Sequence, residues 1–161
     1  MDLLYKELDF PKVPQYLQEM CFEKIKGDPF LILGKPELFS QGQCAFKSYN
    51  IPLELNEWLK ANGLHSDRVS IQVSTNGTRL FPHTDWGNDN ISSRDWAINY
   101  LLTPSGPITS WYNTGQVVKS VNIPSNVWHQ ISTSVIHGVT NIIGDRISIS
   151  LSFSGSRPPF E

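Results

Sequence analysis

His83-Thr84-Asp85, with His137 52 residues beyond the aspartate and Arg146 nine residues further on, brings together two imidazoles, a carboxylate and a guanidinium. Two histidines and one carboxylate are the donor set that holds non-haem Fe(II) on one face of an octahedron, leaving the opposite face open for substrate and O2. Arg146 adds a rigid fork of donors that matches a carboxylate. These residues point to a metal site with an acidic co-substrate beside it.

Extended strands would position them. Residues i and i+2 of a strand face the same way, so His83 and Asp85 share a face if Phe81 to Asp85 is extended. The third ligand then comes from a distant strand. The run Arg146 to Phe153 alternates polar and apolar: Arg146, Ser148, Ser150 and Ser152 on one face, Ile147, Ile149, Leu151 and Phe153 on the other. Arg146 and Ser148 are therefore placed to bind one terminal carboxylate together. His129, in Trp128-His129-Gln130, competes with His137 for the third ligand position. The nine-residue gap to Arg146 favours His137, since it holds one strand, a turn and the next strand.

At 161 residues, the chain is expected to form a single domain, residues 1–161, with a proper core. A net charge of -2 and no basic stripe give no nucleic-acid signal and no bias toward an anionic membrane. No apolar run approaches membrane-spanning length, and the charged N-terminus does not read as a signal peptide. Cys21 and Cys44 match no metal or redox spacing and read as reduced thiols in a cytoplasmic protein.

Along the chain, residues 1–67 read as a helical or mixed supporting segment. Pro14 to Lys26 and Pro52 to Asn62 carry helical apolar spacing, and Phe30 to Leu33 is a short strand candidate. From residue 68 the pattern switches to short alternating runs with turn signals such as Asn76-Gly77. Val69 to Ser74, Arg79 to Asp85, Asp95 to Thr103, Ile108 to Tyr112, Gln116 to Ile123, Val127 to Thr133 and Arg146 to Phe153 predict a β-sandwich or barrel core over residues 68–154. Gly155 to Glu161 reads as a loose end. Trp58, Trp96 and Trp128 are expected in the core, while Trp86 and Trp111 are candidates to wall a substrate opening. Gly87 to Asn90 is a candidate lid.

The carriers His83-Thr84-Asp85, His137 and Arg146-Ile147-Ser148, in that order, resemble those of the Fe(II)/2-oxoglutarate-dependent oxygenases. Within that superfamily, the stretch HTDW…WAINYLL…TSWYNT is similar to small hydroxylase-like proteins of phage and marine bacteria, near the prolyl and aspartyl/asparaginyl hydroxylases. The resemblance implies a mainly β fold: a double-stranded β-helix, or jelly-roll (cupin-like) barrel, with helices packed on one side. It implies a dioxygenase that uses Fe(II) and O2 to convert 2-oxoglutarate to succinate and CO2 while hydroxylating a C–H bond, with a peptide or protein side chain as the favoured substrate. His83, Asp85 and His137 would be the catalytic iron ligands. Arg146 would pair with the distal carboxylate of the 2-oxoglutarate co-substrate, supported by Ser148, with Gln72, Ser74 and Asn99 as further cofactor-facing candidates. Two alternatives remain: a cupin-like metal protein that does not use 2-oxoglutarate, and a non-catalytic jelly-roll binding module.

Overall fold

The computed structural model describes residues 3–33, 46–75, 79–85 (Phe81 without its side chain) and 94–161. Cys44, the Asn76-Gly77 turn, Trp86 and the Gly87 to Asn90 loop lie outside the described residues.

Eleven strands and two helices are described. The strands are β1 (Tyr5–Glu7), β2 (Leu31–Leu33), β3 (Phe46–Tyr49), β4 (Arg68–Ser74), β5 (Leu80–His83), β6 (Trp96–Leu101), β7 (Ile108–Asn113), β8 (Gln116–Asn122), β9 (Trp128–Ser132), β10 (His137–Thr140) and β11 (Arg146–Phe153). The helices are α1 (Gln15–Lys24) and α2 (Leu53–Ala61). One sheet runs β1-β9-β6-β11-β4-β3-β2 and the other β5-β10-β7-β8, with every pairing between named strands antiparallel. The eight strands β4 to β11 thus divide between two facing four-strand arrays, the chain crossing from one to the other at every step except the β7–β8 hairpin, which is the jelly-roll arrangement.

The first third does more than supply helices. Its three short strands extend both sides of the larger sheet, β1 beside β9 and β3 with β2 beside β4. β2 matches the Phe30 to Leu33 candidate, whereas β1 and β3 carry too few alternations to stand out in sequence. β10, the strand of His137, has the same brevity.

The two faces of the larger sheet divide cleanly. Ile71, Ile98, Tyr100, Trp128, Ile147, Ile149 and Leu151 point outward and pack with Leu17 and Cys21 of α1 and Leu55 and Leu59 of α2. Each such aliphatic side chain contributes on the order of 1.5–3 kcal/mol by leaving water. α2 ends where Asn62-Gly63 predicts. Gly63 takes φ +78, and the Leu64 N–H closes back on the Leu59 carbonyl at 2.9 Å. Cys21 is enclosed in this core, where burial pushes its thiol up to about 12.

The C-terminal segment is held rather than loose. Gln130 and Phe160 exchange two hydrogen bonds of 3.0 Å. Trp96 Nε1 donates to the Gly155 carbonyl at 3.0 Å, and Gly155 N–H donates to the Asp95 carboxylate at 2.6 Å. No described helix is long and apolar enough to cross a membrane.

Candidate metal centre

Strand pairing builds the centre. His83 on β5 and His137 on β10 are cross-strand partners, and His137 is paired on its other side with Trp111 of β7. Directly opposed residues share a face, so both imidazoles and the Trp111 indole lie in one row. That face is the barrel interior, because Trp111 packs there against Ala97 and Ile131 of the larger sheet. Asp85, just past β5, is fixed by its N–H to the Thr133 carbonyl at 2.9 Å.

The donor atoms converge. Asp85 Oδ1 lies 3.2 Å from His83 Nε2 and 3.2 Å from His137 Nε2, and the three ligand atoms all lie within 4.8 Å of one another. Neighbouring octahedral positions on a metal with bonds of about 2.1 Å are roughly 3 Å apart. His137 Nδ1 sits 2.8 Å from the Val135 carbonyl, an acceptor that can hold a proton on Nδ1 and so free Nε2 for a metal. Nε2 and Asp85 Oδ1 at 3.2 Å are satisfied by a proton or a cation between them. The donor set and its tautomer fit a metal ion.

A residue that sequence patterning passes over completes the centre. Arg94 Nε donates to Asp85 Oδ2, and its Nη1 reaches Ser150 Oγ at 2.8 Å and Ser152 Oγ at 3.3 Å. Burial works against the Asp85 charge. Arg94 and the two histidines outweigh it and hold the carboxyl well below its ordinary range. The signal for Arg94 in sequence is slight: one arginine at the end of a polar loop, with partners 9, 56 and 58 residues away.

The interior of the larger sheet carries the other predicted residues. β11 pairs Arg146 with Ser74 and Ser148 with Gln72, and on its other side Ser150 with Asn99. Arg146, Ser148, Ser74, Gln72 and Asn99 therefore share the inward face. Ser74, Asn99 and Ser148 are buried, while Gln72 and Arg146 are part-buried. Arg146 Nε is nonetheless closed off from solvent and, among the described residues, has no hydrogen-bond partner; Asn99 Oδ1 is in the same state. Burial and the like charge of Arg94 pull the Arg146 guanidinium down to about 10, which leaves it charged at neutrality. An enclosed N–H without a partner is costly. This wall thus holds one donor, Arg146 Nε, and one acceptor, Asn99 Oδ1, that no described residue satisfies.

One expectation changes. Trp111 is fully buried, with Nε1 donating to the Ser132 carbonyl at 3.1 Å. It lies in the barrel interior beside His137 rather than walling an opening, because β7 is an inner strand of its sheet. His129 is opposite Asn99, away from the triad, and packs on Tyr5 with ring centroids 5.7 Å apart.

His129 makes the fold acid-sensitive. Burial, with the like charge of Arg146 adding to it, pulls the imidazole from 6.5 down to about 4, against the smaller opposing effect of the Val127 carbonyl. The unfolded chain takes up this proton below pH 6.5 and the folded chain only near pH 4. The associated stability is therefore full above pH 6.5 and is lost as pH falls toward 4, by about 3 kcal/mol in all. Denaturant unfolding at both ends of that window is expected to show wild type losing about 3 kcal/mol more than His129→Gln.

No protein-family model matches the chain, and no curated relative matches its sequence. Among solved structures it is similar to hazelnut (Corylus avellana) vicilin, at 12% identity and a TM-score of 0.47, over 81% of this chain and 32% of that one. It is also similar to oxalate decarboxylase, at 10% identity and a TM-score of 0.45, over 83% of this chain and 30% of that one. An arginine-to-alanine mutant of the Bacillus subtilis oxalate decarboxylase gives 11% and 0.46, over 84% and 30%. The chain thus spans about a third of the length of these neighbours.

Proposed function

We propose that this protein is a non-haem Fe(II)- and 2-oxoglutarate-dependent dioxygenase that hydroxylates a C–H bond, releasing succinate and CO2. The observation that carries the reading is a convergent His83-Asp85-His137 set in the same barrel as the enclosed, unpartnered Nε of Arg146. The Asp85–Arg94 pair cancels its own charge, so the interior is left positive by Arg146 even before a divalent metal is added. A dianionic keto acid offers a chelating end for the metal and a second carboxylate for the guanidinium.

His83, Asp85 and His137 would hold the iron, which when bound supplies the activation of O2. The protein's own residues do the rest. His137 keeps its Nε2 lone pair available because the Val135 carbonyl holds the other ring proton. Arg146 anchors the distal carboxylate from a part-buried position with a shielded Nε, where a charge-assisted hydrogen bond is stronger than in open water. Ser148, next inward along β11, adds a hydroxyl donor, and the Asn99 amide can accept a hydrogen bond from a hydroxyl or water beside the co-substrate. Gln72 and Ser74 line the same wall.

Anaerobic titration of the metal-free protein with Fe(II) and then 2-oxoglutarate tests this. A visible charge-transfer band that needs both is the expected result, since it reports keto-acid chelation at an open iron site. Bound iron with no band would move the protein to a metal-binding jelly roll that does not use 2-oxoglutarate. Failure to bind iron would overturn the metal reading itself.

A further inference from the structure

Arg94 does not behave as a surface arginine that happens to meet an acid. Its backbone is pinned at both ends of the peptide unit: the Arg94 N–H donates to the Asp85 carbonyl at 3.2 Å, and the Arg94 carbonyl accepts from Thr133 Oγ1 at 2.9 Å. Asp85 N–H in turn reaches the Thr133 carbonyl at 2.9 Å. Asp85, Arg94 and Thr133 thus form a closed ring of hydrogen bonds joining the end of β5, the start of β6 and the end of β9. From this base the guanidinium crosses to Ser150 and Ser152 on β11 while holding Asp85 Oδ2.

The two oxygens of Asp85 are consequently different. Oδ1 faces both imidazoles, and Oδ2 is taken by Arg94. A carboxylate with one oxygen engaged by a guanidinium presents a single atom to a cation, whereas a free carboxylate can present two. Presenting one atom rather than two leaves an additional coordination position open. Arg94 also has to be an arginine. Lysine offers one compact ammonium and cannot span Oδ2 and the β11 hydroxyls with separate nitrogens in a fixed plane.

We infer that Arg94 is a positioning residue of the metal centre, which holds Asp85 in one-oxygen presentation and ties it to the β11 serines, thereby keeping a coordination position free for co-substrate. This inference rests on the metal reading of the triad. It concerns a residue that touches neither the metal nor the keto acid.

Co(II) serves as the probe, because its visible ligand-field absorption reports coordination number and geometry, and its affinity can be measured without turnover. Wild type, Arg94→Gln, Arg94→Lys and Ser150→Ala would be titrated, with thermal unfolding of each metal-free protein alongside. Arg94→Gln is expected to weaken Co(II) binding about 10- to 100-fold, the usual cost of losing a group that orients a ligand. The spectrum of its saturated form is expected to change as Asp85 turns its second oxygen to the metal. Arg94→Lys should restore part of the affinity but not the wild-type spectrum. Ser150→Ala should move the spectrum in the same direction by less. A saturated Arg94→Gln spectrum identical to wild type would overturn the inference even if the variant melts lower, since that pattern belongs to a purely structural arginine. A wild-type protein that binds no Co(II) and no Fe(II) would instead remove the metal reading, and this inference with it.

Discussion

His83→Ala is expected to lose divalent-metal affinity by about 100-fold or more while changing stability by under about 1 kcal/mol. The two effects separate because His83 is 36% exposed as a side chain, against 5% for His137 and 13% for Asp85. Its removal opens no core cavity and leaves the Asp85–Arg94 pair in place. Asp85→Ala should abolish metal binding too, but at a different cost. Arg94 would remain in the barrel with its carboxylate gone, and stripping one partner from a largely buried pair costs about 3–5 kcal/mol. Metal titration and thermal unfolding of the two metal-free variants check both parts. A His83→Ala protein that binds metal like wild type would remove His83 from the ligand set. An Asp85→Ala protein as stable as wild type would show that the Arg94 pairing is solvated and weak.

Arg146→Met is expected to move function and stability in opposite directions. A methionine can fill the aliphatic part of the arginine's space, and it removes a charge whose Nε has no partner among the described residues. Replacing enclosed charge by a well-packed apolar chain is often neutral or stabilising, by about 1–4 kcal/mol. The metal-free variant should therefore unfold at the same temperature as wild type or higher. The co-substrate loses its only charged anchor on β11. An enclosed charge-assisted contact of this kind carries about 3 kcal/mol, which is a factor of ~100 in the 2-oxoglutarate concentration needed. Iron binding should change little, because Arg146 contacts none of the three ligands. Differential scanning calorimetry and a 2-oxoglutarate titration of the iron-loaded variant decide it. A variant that melts lower and binds 2-oxoglutarate as well as wild type would make Arg146 a structural residue.

Parity made much of this legible before any coordinates. Arg146 and Ser148, two residues apart, face the barrel as strand alternation requires, while Asp85, expected on the strand of His83, sits just past its end and is held by Thr133. The outward apolar faces of β4, β6 and β11, and the helices that cover them, follow from the same alternation. What could not be read is what depends on which strands become neighbours. His137 is opposite His83 because β10 lies between β5 and β7, a fact no local window contains. The same pairing buries Trp111, whose aromatic character alone fits a rim or a floor equally well. Arg94 is the clearest case. It stands in a polar stretch with no periodicity, and its meaning comes entirely from Asp85, Ser150 and Ser152. β1 and β3 were hidden by brevity, and the pinned C-terminal segment by contacts as distant as Gln130.

The strand order also sets a sequence of events for a chain emerging from the ribosome. β11, the last of the eight barrel strands to be made, is a middle strand of the larger sheet, between β6 and β4. Until it inserts, two half-sheets face each other with open edges, the kind of surface that captures other chains. Nearly all of its pairing is long-range, which makes folding slow and cooperative rather than progressive. A chain interrupted before residue 146 lacks the joint between the halves, the serines that hold Arg94 and the Arg146 anchor all at once. Arg146 and the completed barrel therefore arrive in the same step, after all three residues of the His83-Asp85-His137 group have been made.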